Sequence, residues 1–374
     1  MEKSLFIQWV QQYFPGITVS IVKKLNEKNQ TELTYRFMQM LTKQYSVDGK
    51  WESIIGDNTN VAADVVSMDS QLPLKSRDSL SSVSGDIPKI GMKMYLNEKQ
   101  LTALDTMVAK MSAAGSAEER ARLEKQMIAD IFNDLPRVMK GVYERNELTF
   151  LRGLCTGITL AEDMDNVGTG IRVDYGYKTD NKFGVEELWS DAANAKPIDD
   201  IERILKQASQ DGNSPRIMLM DKDTLRKLGA CKQIKEQYVF FKDVNLTSTA
   251  TIPNLSEEKL KEYFLSNHKL TIDIIDRFIK IEKDGKRTNV NPWTDGMVIL
   301  LTDYNVGSLV WANLAETTHK VANVEYQIAD DYILLSKYHK NDPLQEFTTS
   351  QARVLPVISR VDEIYSLDTK TVQA

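Results

Sequence analysis

The chain has 374 residues, more than one compact core usually contains, so we expect at least two packed regions. It is 42% hydrophobic and 27% charged, a composition typical of a protein that buries a core and remains soluble. The formal net charge of −6 argues against a general nucleic-acid binder, because phosphate contacts need a basic surface. No apolar stretch is long enough to cross a membrane, so no transmembrane segment is expected.

The opening residues "MEKSLFIQWVQQYFPG" lack the basic end, long apolar centre and cleavage site of a signal peptide. They predict synthesis and folding in the cytoplasm. Cys155 and Cys231 are the only cysteines, and two thiols in a chain of this length favour a reducing compartment over a disulfide framework. We expect both to be small buried side chains.

Residues 2–45 contain two helix-like stretches, each short enough to need a partner surface. Their apolar residues are Leu5, Ile7, Trp9, Val10 and Phe14 in the first and Leu33, Phe37, Met38 and Leu41 in the second. The adjoining segment supplies no obvious core for the first stretch, so we predict that its apolar face meets a partner such as another copy of the chain. From about Trp51 to Leu96 the sequence is rich in Ser, Asp and Gly, which predicts an excursion that packs on another surface.

The strongest helix signals follow this excursion. Asn97 can cap a helix that has Gln100 at its third position, and Ser116 and Glu119 form a second capping box. From there, apolar residues recur at helical spacing to about Leu154, which predicts one helix of up to about 38 residues. Pro136 should kink this helix, because proline removes a backbone hydrogen bond and clashes with the preceding turn.

After about residue 165 the pattern indicates an α+β region with its own core. "GIRVDYGYKTDNKFG" alternates before a turn and predicts a hairpin. "PIDDIERILKQASQDG" predicts a helix and "PRIMLMD" a buried strand, after which Asp221 caps a helix over "KDTLRKLGACKQIKEQY". Strands are expected at 270–282 and 295–302, with a turn at Asp284 and Gly285 between them.

Sequence motifs for metal or cofactor binding are weak. "DMDNVGTG" places Asp163, Asp165 and Gly168 at calcium-loop positions. However, Val167 stands where an oxygen ligand is needed and Asp174 stands where a glutamate is needed, so a turn is the better interpretation. The three histidines are far apart, and no HExxH, CxxC or phosphate-loop motif is present. We therefore predict no cofactor and no metal. The acidic pairs Asp199-Asp200 and Asp330-Asp331 are more typical of solvated caps than of acid and base catalysts.

Three segments carry a resemblance to a known family. They are "VVSMDSQLPLKSRDS" followed by "GDIPKIGMKMYL", the helix, strand and helix within residues 197–237, and the closing "NDPLQEFTTSQARVLPVISRVDEIYSL". In this order they resemble the major capsid protein of tailed bacteriophages, the Hong Kong ninety-seven fold, in its lambda-type branch. The likeness covers most of the chain from about residue 60. Residues 239–268 look inserted, and the N-terminal segment is longer and more helical than in that branch.

The resemblance implies an α+β fold divided into five parts: an N-terminal arm at 1–50, an extended loop at 51–96, a peripheral domain with a spine helix at 97–165, an axial domain at 166–340, and a return strand of the peripheral domain at 341–374. Within the return strand, Pro356 should lie on an edge or at a bulge, because it cannot donate to a strand ladder. Six residues are candidates for inter-subunit contact: Phe6, Trp9, Tyr13, Lys75, Arg77 and Pro88.

The implied function is a major head protein without enzymatic activity. It would form hexamers and pentamers of an icosahedral shell around double-stranded DNA, with scaffolding protein, a portal and an optional decoration protein as partners and with no membrane contact. It would be assembled in the host bacterial cytoplasm and reside in the virion. Alternatives are an encapsulin-like or other virion shell protein, such as a tail tube, and a metal-dependent α+β enzyme that uses Asp199, Asp200 and Asp330.

Overall fold

The computed structural model describes residues 3–26, 35–55, 81–161, 171–242, 253–283 and 285–373. Its helices are α1 Ile7–Asn26, α2 Arg36–Met40, α3 Glu98–Ala113, α4 Ala117–Ile131, α5 Leu135–Thr156, α6 Pro197–Gln210, α7 Lys222–Ala230, α8 Lys232–Phe241, α9 Glu257–His268 and α10 Ala315–Thr318. None of these helices combines the length and the hydropathy that a membrane span requires.

The strands are spread along the chain, several of them in consecutive runs. They are β1 Leu41–Tyr45, β2 Lys50–Ile55, β3 Ser81–Asp86, β4 Lys89–Leu96, β5 Ile158–Ala161, β6 Ile171–Asp174, β7 Lys182–Val185, β8 Ile217–Asp221, β9 Thr271–Ile275, β10 Ile279–Lys283, β11 Lys286–Val290, β12 Met297–Leu301, β13 Gly307–Ala312, β14 Glu325–Ala329, β15 Ile333–Asn341, β16 Leu344–Ile358 and β17 Ile364–Val372.

The larger sheet is built around β16. Its order is β1-β13-β16-β15-β14, and β4 pairs with β16 as well. β15 and β4 pair with the first part of β16, whereas beyond Arg353 the only described strand beside it is β13. Pro356 lies in this one-sided part, as predicted, and its carbonyl oxygen accepts a hydrogen bond of 2.7 Å from the Tyr175 hydroxyl.

The second sheet has the order β7-β17-β12-β8-β9 and lies between two hydrophobic cores. Alternate residues of a strand face opposite sides. On β12, Ile299 and Leu301 therefore pack into the first core with α5, whereas Val298 and Leu300 pack into the second core with α6 to α9. The chain thus has the two packed regions that its length predicts, joined by a shared sheet.

The N-terminal helices differ from the sequence prediction. α1 forms as expected, but Val10 and Phe14 are buried in the first core of the same chain, so the expectation that this face lacks a core of its own is wrong. The second predicted helix is reduced to the short α2. From Leu41 the chain is a strand, because β1 pairs in parallel with β13 and that pairing overrides the helical pattern.

The predicted long helix is two helices. α4 ends at Ile131, and α5 begins at Leu135 with Pro136 in its first turn. Proline is well tolerated there, because the first N–H groups of a helix have no intrahelical partner. Pro136 therefore starts a new helix after a break instead of kinking a continuous one. The cap predicted at Asn97 is confirmed, with both bonds of the capping box to Gln100 present.

Most elements predicted for the middle of the chain are confirmed, and three are corrected. One correction is the strand expected at 270–282, which is divided into β9 and β10. α6, β8 and the cap by Asp221 form as expected. The hairpin predicted after residue 170 is wrong in its pairing, since β6 pairs with the preceding β5, whereas β7 joins β17. The helix after Asp221 is interrupted at Cys231, which gives α7 and α8. Strands β10 and β11 flank Gly285, where a turn was predicted.

The described residues of the segment 239–268, which looks inserted by sequence, contribute to the second core. α9 buries Leu260, Tyr263 and Phe264 there. Cys155 and Cys231 are both buried and unpaired, in agreement with the sequence prediction.

Candidate assembly surfaces

The segment before α1 is fastened to the hairpin of β15 and β16. The Ser4 hydroxyl and the Leu5 N–H donate to the Glu346 carboxylate, the latter at 3.1 Å, and the His339 ring contacts the carbonyl oxygen of Lys3. Glu346 is fully buried, so these donors replace the water that its charge would otherwise need. The N-terminal segment is therefore held by its own subunit.

Three candidate contact residues lie at or on α1. Phe6 is 6% exposed and packs in the first core. Trp9 and Tyr13 are half-buried and stack on each other with ring centroids 6.2 Å apart, and the Tyr13 hydroxyl donates to Glu124 on α4 at 2.9 Å. Phe6 is thus enclosed within its own subunit, whereas Trp9 and Tyr13 form a partly exposed aromatic pair. Contact of these residues with another subunit stays a prediction.

The base of the polar excursion is anchored on β16. β2 and β3 pair with each other, and the Arg353 guanidinium donates to the carbonyl oxygens of Gly49 at 3.0 Å and Ile87 at 3.2 Å. Gly49 has φ +72°, and a side chain there would collide with this guanidinium. Pro88 follows β3, is half-buried, and its carbonyl oxygen accepts from Val354 N–H. Both ends of the excursion are therefore fixed; Lys75 and Arg77 lie outside the described residues.

A polar group that we call the hinge cluster connects the N-terminal segment, α5 and the chain after β9. Both terminal nitrogens of Arg36 donate to Asp273 at 2.6 Å. Arg277 donates to Glu144 at 2.6 Å and lies 4.4 Å from the ring centroid of Tyr35. Such bidentate and cation–π contacts fix side-chain geometry as well as charge. The cluster consists of Tyr35, Arg36, Glu144, Glu147, Asp273 and Arg277.

Glu147 is the buried centre of the hinge cluster. Its carboxylate accepts the backbone N–H groups of Arg36 at 3.0 Å and Phe37 at 3.1 Å, which are at the start of α2. Burial raises the pKa of Glu147 to about 7, although these donors and the Arg277 charge act in the opposite direction. The position of the N-terminal segment is thereby linked to the protonation of a residue on α5.

A buried lysine stabilises the break between α4 and α5. Lys337 on β15 is completely buried, and its ammonium donates to the carbonyl oxygen of Ile131 at 3.1 Å and to the Thr348 hydroxyl at 2.9 Å. It also lies 5.5 Å from the ring centroid of Phe132. A cation at a helix C-terminus satisfies an unpaired carbonyl and opposes the helix dipole. Burial lowers the pKa of Lys337, against the raising effect of Glu346 and Asp134.

The acidic pairs have structural partners. Asp200 accepts the Trp189 indole N–H at 3.0 Å, and Asp199 accepts the Gln233 amide at 2.8 Å. Asp330 accepts the Tyr143 hydroxyl and the Lys43 ammonium. Over the described parts of the chain, no three His, Cys, Asp or Glu side chains are grouped so that they could hold a metal ion. The weak calcium motif at 163–170 falls outside the described residues.

Sequence reasoning missed the hinge cluster and the roles of Arg353 and Lys337. Most of their partners are separated by more than a hundred residues along the chain or are backbone atoms, so local spacing does not indicate them. One signal was available in the sequence, namely a charged residue among apolar residues that face the core. Glu147 on the inner face of α5 and Lys337 in the mostly buried strand β15 are such residues.

Comparison with known proteins agrees with this architecture. A family model described as phage major capsid protein E matches residues 34–369. The putative capsid protein of a prophage of Escherichia coli CFT073 has a similar structure, with a TM-score of 0.58 and 14% identity over 95% of this chain and 98% of that one. No curated protein sequence matches the chain.

Two further structures show weaker likeness. A phage-related protein of Bordetella bronchiseptica RB50 has a TM-score of 0.48 and 12% identity, with coverage of 96% and 98%, and the mature capsid of bacteriophage PhiM1 has a TM-score of 0.45 and 8% identity, with coverage of 92% and 89%.

The sheet built on β16, the spine formed by α5 and the second core beyond the shared sheet make up an α+β fold of the Hong Kong ninety-seven type, as the sequence predicts. The family match covers most of the sequence. The chain belongs to the phage major capsid protein E family and is a major capsid protein of a phage head.

Proposed function

We propose that this capsid protein forms hexamers and pentamers of an icosahedral shell that encloses double-stranded DNA. The observation that carries the proposal is the distribution of exposed apolar side chains. Large apolar residues are exposed at separate places, including Val47 near the excursion, Tyr95 on β4, Phe278 after β9 and Ile328 on β14. Separate apolar surfaces suit a subunit with several neighbours, as a closed shell requires.

Within this proposal, the excursion at 51–96 and the segment at 1–50 act as the extended loop and the arm between subunits. Residues 97–165 and 341–374 form the peripheral domain, and 166–340 the axial domain. Assembly proceeds in the host cytoplasm with scaffolding protein, a portal and an optional decoration protein, without catalysis. The fixed base formed by Arg353 supports a loop role, because a contact segment with an ordered base loses less entropy on binding.

The test of shell formation is negative-stain electron microscopy after sedimentation, on the chain expressed alone and with its neighbouring phage genes. Closed shells, or rings of five or six subunits, are expected in at least one condition. Uniform small particles in both would contradict the proposal. Nucleic acid in the purified shells would distinguish a phage head from an encapsulin-like shell, which would carry protein cargo.

Charge reversal tests the loop contact. Lys75→Glu with Arg77→Glu should weaken the shell without changing the free energy of unfolding of the subunit, because a contact charge acts between subunits. Shell dissociation in urea and circular dichroism of free subunits measure the two effects. Lys206→Glu with Lys269→Glu is the matched control at exposed axial positions. A loop variant whose shells resist urea like the control shells would remove the contact role of Lys75 and Arg77.

A further inference from the structure

A short hairpin of β10 and β11 stands apart from both large sheets. Within the described residues its two strands pair only with each other. Ile279 is buried, but Lys280, Lys286 and Arg287 are exposed, and Phe278 just before the hairpin is 64% exposed. A two-stranded hairpin is at best marginally stable by itself in water, so this one requires a further surface.

The hairpin is basic in an acidic chain. Residues 279–290 contain four basic and two acidic residues, a net charge of +2 against −6 for the whole chain. Arg287 pairs with Glu282 at 2.7 Å, whereas the strand register places the exposed Lys280 opposite the uncharged Asn289. The exposed lysines of the hairpin therefore favour an acidic partner.

An acidic segment follows β7. Residues 186–199 contain four acidic residues and one lysine, a net charge of −3. Glu186, Glu187, Asp191 and Asp199 are all exposed, and Lys196 approaches only Glu186, at 3.9 Å. This segment is complementary in charge to the hairpin.

The smaller sheet places these two segments at opposite edges but at one level. β7 and β9 are the two edge strands of this sheet. β7 is parallel to β17 and β9 is parallel to β8, and β12 is antiparallel to both β17 and β8, so the two edge strands run in the same direction. The register aligns five residues in one row across the sheet. In order from β9 to β7 they are Ile275, Asp221, Met297, Asp368 and Gly184. The hairpin begins just after Ile275, and the acidic segment just after Gly184. Four strand spacings, about 19 Å in all, separate the two edges.

We infer that the hairpin of β10 and β11 docks on the acidic segment 186–199 of a neighbouring copy of this chain within one ring. A ring requires a head-to-tail contact between two different surfaces of the subunit at matching height about the axis. The two edges provide opposite charge near the same end of the sheet, and Phe278 adds an apolar anchor at the base of the hairpin. This contact rests on the proposed function and specifies which surfaces join subunits within the hexamer and pentamer.

Exchange of the charges tests the contact. Lys280→Glu with Lys286→Glu should abolish rings and shells, and Glu186→Lys with Glu187→Lys should do the same, because each juxtaposes like charges. All four substitutions together should restore assembly, which simple misfolding of either variant could not do. The control Lys206→Glu with Lys269→Glu changes net charge equally on exposed residues outside both segments and should assemble like wild type.

Cysteine cross-linking gives an independent readout. Glu187→Cys with Lys286→Cys should form disulfide-linked ladders in assembled particles under mild oxidation, and each single variant should not. The native Cys155 and Cys231 are buried, so background linkage is low. Two results would overturn the contact, provided that the wild-type chain forms shells. One is normal assembly of both charge-reversed variants, and the other is the absence of ladders from the double cysteine variant. Absence of shells and rings from wild type would instead overturn the proposed function.

Discussion

α4 and α5 arise from one uninterrupted helical pattern, yet they have different environments. α5 buries 14 of its 22 residues, whereas α4 buries only Met127 and Ile131 of 15. α5 lies on the sheet of β16, where Ser350 donates to its Val138 carbonyl oxygen at 2.7 Å. The difference shows that periodicity predicts a helix but not how much of its surface the rest of the subunit covers.

The largest expected effect comes from truncation of the same side chain on the two helices. Leu151→Ala on α5, where the side chain is fully buried, should lower the free energy of unfolding by about 3 to 5 kcal/mol, through lost burial and a cavity. Leu123→Ala on α4, where the leucine is half-buried, should cost less than about 1 kcal/mol. Urea unfolding of unassembled subunits measures both. Equal losses would refute the distinction between the helices.

The second prediction concerns pH and the buried carboxylate on α5. Glu147 has a pKa of about 7 in the folded chain against its ordinary 4.5. Between these values the folded state binds the additional proton, so the free energy of unfolding should fall as pH rises, by about 3 kcal/mol in all. Glu147→Gln should remove this part of the pH dependence, since an amide oxygen still accepts from the N–H groups of Arg36 and Phe37.

Unfolding of free subunits at several pH values between 4 and 8 measures that slope. Glu118→Gln, at an exposed position on α4, is the matched control for loss of one carboxylate. A Glu147→Gln variant with the wild-type slope would show that Glu147 does not titrate between these two values.

The smallest expected effect is at the surface of α4. Tyr13→Phe removes the hydrogen bond from α1 to Glu124 and should lower the free energy of unfolding only slightly. A double-mutant cycle with Glu124→Ala, which removes the acceptor, isolates the energy of this contact, with unfolding free energies as the measurement. Strictly additive effects would mean that this contact does not stabilise the docking of α1.

Much of the fold could be predicted because its signals are local. The Asn97 and Asp221 caps, the helix at 197–210 and the buried strand at 217–221 depend on neighbouring residues, and all are confirmed. The position of Pro356 could be predicted because proline excludes most places in a sheet.

Several of the errors and omissions depend on residues distant in sequence. Leu41 begins a strand because β13 lies beside it, and β6 turns back on β5 and not forward on β7. The end of α4 depends on an ammonium from β15, about two hundred residues further on, and Glu147 acquires its role from partners on α2 and beyond β9. Candidate contacts such as Trp9 could be identified as apolar, but their burial could not.

The placement of β16 and β17 also determines when the protein can fold. β16 is the central strand of the larger sheet, and β17 lies between β7 and β12 in the smaller one, yet both follow every strand with which they pair. During synthesis, the larger sheet lacks its central strand until residues as far as 358 have left the ribosome, and the smaller sheet lacks β17 until residues as far as 372 have followed. Both hydrophobic cores are therefore completed late in synthesis, after the helices that pack into them.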